Sequence, residues 1–347
     1  MRIATTVPQN DLRLVKDAAK SVERDGYTMI TTMENKHDPF LPLAIAAVET
    51  ETVELATSIA ISFSRSPMVA ANLSWDLNEA SRGRFVLGLG TQIKAHNERR
   101  FSVPWTPPAP RMREYTLSLK AIWKSWRTGE KLNYQGDHYR FTLMPPYFMP
   151  ESQGFRLPPV TLAAVGPAML RVAGEVADGV RLHPFCTEKY LEETVMPQLM
   201  TGMERSGQTR EAFEITGGGF VATGPDDEAV HKLREWVRYR VGFYGSTPAY
   251  YPVLEAHDLK DLGLKLNRMT KASEWDQLAD VVSDDVLDLF VAAGRHDEIA
   301  GIIEKRFSAS ADTIYASANS AQAADMPPGL IQDINQIQTP FKGYETD

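Results

Sequence analysis

Short β-rich runs alternate with longer amphipathic stretches along most of the chain. Residues 2–7 read as a strand and 11–24 as an amphipathic helix. Residues 27–33, rich in Thr and Ile, form the next strand. Pro39 then heads an apolar helix reaching about residue 49, since a residue with no N–H and a fixed φ suits a first helical turn. The rhythm continues with strand 54–63, helix 68–79 and strand 84–90, the last almost wholly apolar, as expected of a strand covered on both faces. A long helix at 111–127 repeats Met112, Tyr115, Leu119, Ile122, Trp123 and Trp126 at three- and four-residue spacing, which predicts a core-facing stripe rather than a ligand-binding box.

The second half keeps the period. Strands are predicted at 159–164, 179–183, 213–222 and 313–316, and helices at 167–177, 188–205, 226–240 and 284–307. Eight strands, each but the last followed by a helix, close most naturally into a single (β/α)8 TIM barrel, because βα crossovers are right-handed and parallel strands need both faces covered. The barrel is expected to occupy residues 1–320, with 321–347 as a surface tail. Two stretches break the pattern and read as insertions after strands 4 and 7. One is 130–154, with a hairpin turning at Tyr134–Asp137; the other is 242–283, rich in Gly, Pro and Tyr. Both follow strands and so stand near the catalytic mouth, where such segments act as lids.

Composition narrows the class. The net charge of −8 argues against a general binder of nucleic acid or membrane surface. A single cysteine, Cys186, permits no internal disulfide, which suits a reducing compartment and predicts a plain buried thiol. The N-terminus shows no basic segment leading into a long apolar run, and no apolar stretch approaches the ~20 residues needed to span a bilayer, so a cytoplasmic protein is expected. Basic residues outnumber acidic ones between Lys94 and Arg140; this reads first as a solvated helix face and second as a docking edge for an anionic cofactor tail.

In such a barrel the chemistry sits at the C-terminal strand ends. Those ends carry no His-x-His, no carboxylate cluster and no Gly-x-Ser-x-Gly elbow, so metal-assisted hydrolysis and serine nucleophiles find no support. Gly88-Leu-Gly90 is not a dinucleotide fingerprint, because Ile93 takes the place of the third glycine. What remains is small: Gly88, Gly90, Ala163, Ala164 and Gly166. A rim of this kind lets a flat, mostly apolar ring lie against bare main chain, with the cofactor carrying the chemistry and the protein positioning it.

Several of these segments together resemble the bacterial luciferase-like monooxygenase superfamily. They are Ser81-Arg-Gly-Arg-Phe-Val-Leu-Gly-Leu-Gly-Thr91 with Glu98-Arg-Arg and Arg113-Glu114, then Ala56-Thr-Ser-Ile59 through Arg65-Ser-Pro67, and Ala163-Ala-Val-Gly-Pro167 through Ala173-Gly-Glu-Val-Ala-Asp-Gly179. The similarity spans 1–223, with a weaker match over the last helices, and Gly88-Leu-Gly-Thr-Gln92 is most similar to the branch that uses the deazaflavin coenzyme F(420). The resemblance implies a ring held at the strand ends and a non-proline cis peptide at Ser58-Ile59 backing it. It also implies Gly90 against the ring, Thr91 and Gln92 at its polar edge, and Ala163, Ala164 and Gly166 along its far side and the start of the side chain. From its own place at a strand end, His183 reads equally as a contact to that side chain or as a packing residue.

The sequence departs from the sugar-phosphate-oxidising members of the branch, which place an Asp-His pair after the second strand; here Met33-Glu34 stand there, and Ile93 and Lys94 displace the acidic residue that follows the glycines. Their substrate is therefore not carried over. Candidate proton-transfer groups are Glu34, His37 and His96, on loops near the mouth, since such groups work best with a pKa near ambient pH. Phe63, Phe101, Trp105, Tyr147, Phe148, Phe185 and Tyr244 predict an apolar or aromatic small-molecule substrate. The leading expectation is hydride transfer with coenzyme F(420). Its rivals are an FMN-dependent two-component monooxygenase on the same barrel and a non-catalytic flavin- or deazaflavin-binding protein. By analogy with the superfamily a homodimer is expected, paired through the third and fourth helices.

Overall fold

The eight expected barrel strands form a closed parallel ring. In the computed structural model, which describes residues 1–316 and 326–344, they are β1 (Arg2–Thr6), β2 (Met29–Thr32), β3 (Glu54–Thr57), β4 (Phe85–Gly90), β5 (Val160–Ala164), β6 (Gly179–Leu182), β7 (Glu214–Thr216) and β8 (Thr313–Tyr315). Each hydrogen-bonds its sequence neighbour, and β1 closes on β8 with Arg2 opposite Thr313. After Thr57 the third strand is interrupted by a cis Ser58-Ile59 peptide and resumes at Ala60–Ile61 against Leu89 and Gly90. Gly88 has a steric cause: a Cβ there would lie 1.9 Å from the Thr57 carbonyl oxygen, so only glycine lets β3 and β4 approach this closely.

The outer faces of the strands (Ile3, Ile30, Leu55, Phe85, Leu87, Val180, Ile215, Ile314) pack under the helical ring. That ring includes α1 (Val15–Asp25), α2 (Phe40–Glu49), α3 (Pro67–Ala80), α4 (Pro108–Thr128), α5 (Pro167–Val176) and α6 (Met196–Ser206). The expected stripe of α4 is buried, Trp123 and Tyr115 completely so. Inside the barrel the side chains are thin (Ala4, Met29, Ala56, Val86), which leaves room for charges. Glu214, fully buried, accepts hydrogen bonds from Arg2 at 2.9 Å and Thr313 at 2.5 Å, and from the Tyr344 hydroxyl. Burial alone would raise its pKa, but Arg2, Arg181 and these hydrogen bonds hold it below the usual carboxylate range.

Five expectations are corrected. The strand expected at 213–222 breaks at Gly217–Gly219, where φ is +88° at Gly217 and +110° at Gly218. Its second half, Phe220–Gly224, leaves the barrel and pairs in parallel with Val291–Arg295, a strand that lies within the stretch expected as helix 284–307. Four buried residues in Val291–Arg295 and its approach (Phe290, Val291, Ala292, Gly294) fit either periodicity over so short a run, and the partner strand decides. The hairpin in 130–154 forms, but Tyr134–Gln135 pair with Arg140–Phe141, so its turn is 136–139. The C-terminal stretch is no surface tail: within it Pro328–Gln336 is a helix burying Leu330, Ile331 and Ile334, and Tyr344 plugs the barrel floor beneath Arg156. The helix after Phe220–Gly224 is longer than expected; α7 runs Asp227–Gly245 and is followed by the short helices Tyr251–Glu255 and Lys260–Lys271.

Among the described residues no helix is long and apolar enough to cross a membrane, and no cluster of His, Cys, Asp or Glu is placed to hold a metal ion.

Candidate active site

The C-terminal strand ends open into a cavity of about 740 Å³, well within the range of small-molecule sites. Its wall carries Ala4 to Thr6 from β1, Thr31 to Met33 from β2, Ser58 and Ile59, Gly90 to Gln92, Ala163 to Gly166, Arg181 to Pro184 and Tyr315. Helix α7 and the segment after it roof this wall with Trp236, Arg240, Tyr244, Thr247, Ala249 and Tyr250, and Trp105 and Lys94 stand at the edge. All nine residues expected to seat a ring (Ser58, Ile59, Gly90, Thr91, Gln92, Ala163, Ala164, Gly166 and His183) border this one cavity.

The seat is built for close approach. Gly90 lacks a Cβ where the Ile59 side chain would stand 2.6 Å from it, and Gly166 caps α5 with nothing within 4 Å of a notional Cβ. Gln92 adopts a left-handed φ of +57°, with its Oε1 accepting the Ile93 N–H at 2.9 Å, while Asn97 Nδ2 holds the Thr91 carbonyl at 2.9 Å. The Ser58 hydroxyl lies 2.6 Å from the Tyr315 hydroxyl, and Arg181, buried within the ring, donates through Nε to Thr161 at 2.8 Å.

His183 is fixed in one protonation state. Its Nδ1 accepts the Phe185 N–H at 2.9 Å, so the proton sits on Nε2, and its ring lies 4.2 Å edge-on to Tyr244. Burial, with a smaller contribution from the Arg240 charge, pushes its pKa down from 6.5 to about 3. At neutral pH it is a neutral N–H donor and neither an acid nor a base.

The proposed proton-transfer residues do not reach the cavity wall. Glu34 accepts the Ile61 N–H at 2.7 Å and an Arg65 guanidinium N–H at 2.6 Å, and its own N–H donates to the Ile59 carbonyl at 3.1 Å. It clamps the backbone on both sides of Ala60. His37 is exposed on the β2–α2 loop, and His96 sits half-buried on the short helix Lys94–Arg99. The basic stretch is spent on structure: Arg113 pairs with Glu175, Lys120 with Asp178 and Lys124 with Glu130, while Arg111 packs 4.2 Å above the Phe63 ring. Cys186 is buried, its pKa pushed up to about 12 by desolvation, so it is inert as a nucleophile.

A family model for luciferase-like monooxygenases matches residues 2–313. The chain belongs to the luciferase-like monooxygenase family. One relative by sequence is an uncharacterized protein of Mycobacterium tuberculosis, 44% identical over 314 residues and covering 90% of this chain and 92% of that protein. Another is a 5,10-methylenetetrahydromethanopterin reductase of Archaeoglobus fulgidus, 28% identical over 299 residues and covering 84% and 85%. In fold, the chain matches the coenzyme F(420)-dependent tetrahydromethanopterin reductase of Methanopyrus kandleri with a TM-score of 0.76 at 18% identity, over 97% of this chain and 98% of that one.

Several wall residues of this luciferase-like protein escaped the sequence reading. Arg181 left a trace, an arginine inside the buried four-residue strand Gly179–Leu182. Trp236 and Arg240 join the expected Tyr244 at four-residue spacing on one face of α7, a pattern hidden because the helix was expected to end at residue 240. Tyr147 and Phe148, expected at the mouth, stand 92% and 67% exposed, away from the cavity wall. Phe185 instead stacks on Phe290 in the core, 4.5 Å centroid to centroid.

Proposed function

We propose that the chain is an oxidoreductase that transfers a hydride between coenzyme F(420) and a small organic substrate at the C-terminal mouth of the barrel. The observation that carries this reading is the seat: Gly90, Ala163, Ala164 and Gly166 leave main chain bare along one wall of a 740 Å³ cavity, facing an aromatic roof. A planar tricyclic ring fits such a slot, and when bound the deazaflavin supplies hydride chemistry at its C5 carbon. Ser58 and Ile59, held by Glu34 and Arg65, back the ring; Thr91 and Gln92 read its polar edge; Gly166 and the start of α5 receive the beginning of its side chain. The kinship with a methylenetetrahydromethanopterin reductase supports an oxidoreductase, and a 30% identity over 200 residues with an F(420)-dependent glucose-6-phosphate dehydrogenase of Microbacterium testaceum supports the coenzyme.

The cavity also favours a direction. Its wall includes no carboxylate among the described residues, and His183 is held neutral with its N–H available. Oxidising an alcohol needs a base to take the hydroxyl proton, and the wall lacks one. A neutral donor beside Tyr244 instead polarises a carbonyl, imine or activated alkene as hydride arrives, with the balancing proton drawn from water. We therefore read the enzyme as a reductase; the expectation of a cytoplasmic homo-oligomer paired through α3 and α4 stands beside that reading, with Val69 exposed on α3.

Titration of the purified protein with coenzyme F(420) and, separately, with reduced FMN tests the cofactor. Micromolar or tighter binding of the deazaflavin with at least a hundredfold preference supports the reading. The reverse preference installs the two-component monooxygenase in its place, and binding without turnover on any carbonyl, imine or enone panel favours a carrier.

A further inference from the structure

We infer that Arg240 is the receptor for a carboxylate on the substrate, and hence that the substrate is an organic acid with an apolar, ring-bearing body. This rests on the proposed oxidoreductase reading and names the substrate class of the same cavity. Helix α7 carries three arginines, Arg234, Arg238 and Arg240, within two turns. Arg234 pairs with Asp288 at 2.8 Å, and Arg238 with Glu235 at 3.0 Å and Asp284 at 2.5 Å. Arg240 faces the cavity and meets neither a carboxylate nor a hydrogen-bond acceptor among the described residues.

Its guanidinium is nonetheless held in place. It lies 4.7 Å from the Trp236 ring centroid and 6.0 Å from that of Tyr244, one turn to either side. Aromatic faces orient a guanidinium and strip part of its water while leaving its N–H fork open, which suits bidentate capture of a planar carboxylate. The rest of the wall agrees in sign: Arg181 and Lys94 border the cavity, and acidic side chains do not. Beside Arg240 the surface is aromatic, with Trp236 and Tyr244 against it and Tyr250 against Tyr244, whereas the small residues of the wall lie on the barrel strands and the start of α5. An anion anchored at Arg240 would lay its apolar body under the aromatic roof and bring its reducible group toward the His183 N–H.

The coenzyme is itself anionic, so the test separates the two sources of negative charge. Binding of benzoate, cyclohexanecarboxylate and 3-phenylpropionate, each against its amide, is measured by calorimetry on wild type, Arg240→Gln and Arg240→Lys, with and without coenzyme F(420). At least one acid is expected to bind tenfold or more tightly than its amide, the preference vanishing in Arg240→Gln and surviving in part in Arg240→Lys, while coenzyme affinity changes by less than threefold. No acid preference in wild type overturns the inference. So does a tenfold loss of coenzyme affinity in Arg240→Gln with the acid preference kept, since the guanidinium would then serve the coenzyme tail. If wild type fails to bind the coenzyme at all, the cofactor assignment falls, and the acid-against-amide comparison on the free protein still decides the role of Arg240.

Discussion

His183 offers the sharpest test of the cavity's electrostatics, through replacement by glutamine. The side chain is pushed from 6.5 to about 3, first by burial and then by the Arg240 charge. A histidine whose folded pKa lies below its unfolded value destabilises the fold as pH drops, because the unfolded chain takes the proton first. The loss begins near the unfolded pKa of 6.5 and saturates only near the folded value of about 3. Integrating between pH 7 and pH 5 gives about 2 kcal/mol, and the full shift would be worth about 5 kcal/mol at 1.36 kcal/mol per unit. The glutamine of the variant can still accept the Phe185 N–H through its amide oxygen but cannot titrate. Urea unfolding of wild type and His183→Gln at both pH values isolates the difference, since every other titrating group cancels. The variant is expected to lose about 2 kcal/mol less than wild type on acidification. Equal losses in the two proteins, or a His183 ring resonance that titrates above pH 5, would refute the reasoning.

The other predictions probe the seat and the floor. Gly88→Ala sets a methyl 1.9 Å from the Thr57 carbonyl, so a loss on the order of 3 kcal/mol is expected in thermal unfolding. Gly166→Ala, with open space around it, should melt within a few degrees of wild type yet bind coenzyme F(420) more weakly, seen by equilibrium titration. Glu34→Gln weakens the Arg65 ion pair and the clamp around Ala60; stability should fall by about 1–3 kcal/mol, with hydride-transfer rate at saturating substrate keeping the pH profile of wild type. A changed profile would return Glu34 to proton transfer. Glu214→Gln breaks the buried pair with Arg2 and should cost about 3–5 kcal/mol at pH 7. Because the Glu214 pKa is held below its unfolded value, that contribution is present above the unfolded pKa and fades as pH falls through the folded one, so the two proteins should converge in stability under acid.

The barrel was legible because its strands are buried on both faces and its helices carry one apolar stripe, so the periods of two kinds of element alternate cleanly from Arg2 to Thr216. That the strand ends form a cavity wall of small residues was legible for a related reason. Gly90, Ala163, Ala164 and Gly166 are conspicuous by being small where strands usually end in bulk. What failed to show is what depends on contacts distant in sequence. Val291–Arg295 becomes a strand only because Phe220–Gly224 arrives beside it, and Pro328–Gln336 is anchored by apolar residues too few to outweigh its polar surroundings on paper. Glu34 looked like a catalytic carboxylate by its place after β2, but Arg65, thirty-one residues on, turns it into a brace. Arg240 is told apart from Arg238 by Glu235, one turn before Arg238 on the same helix, and by Asp284 from a segment distant in sequence.

The break at Gly217–Gly219 divides the labour of the molecule. By leaving the ring there, the chain builds the roof on a separate two-stranded sheet, with a small cluster of Leu266, Met269 and Leu278, while Phe220, Val237, Val241, Leu254 and Phe290 join the main core. The cavity-facing residues of the block 220–295, Trp236, Arg240, Tyr244 and Tyr250, lie outside the hydrogen-bond ladder of the eight staves, so their chemistry can change while that ladder keeps its register. A graft of that block between relatives should carry substrate preference with it and leave the ring's berth untouched, which makes the glycine break the joint along which new specificities are cut.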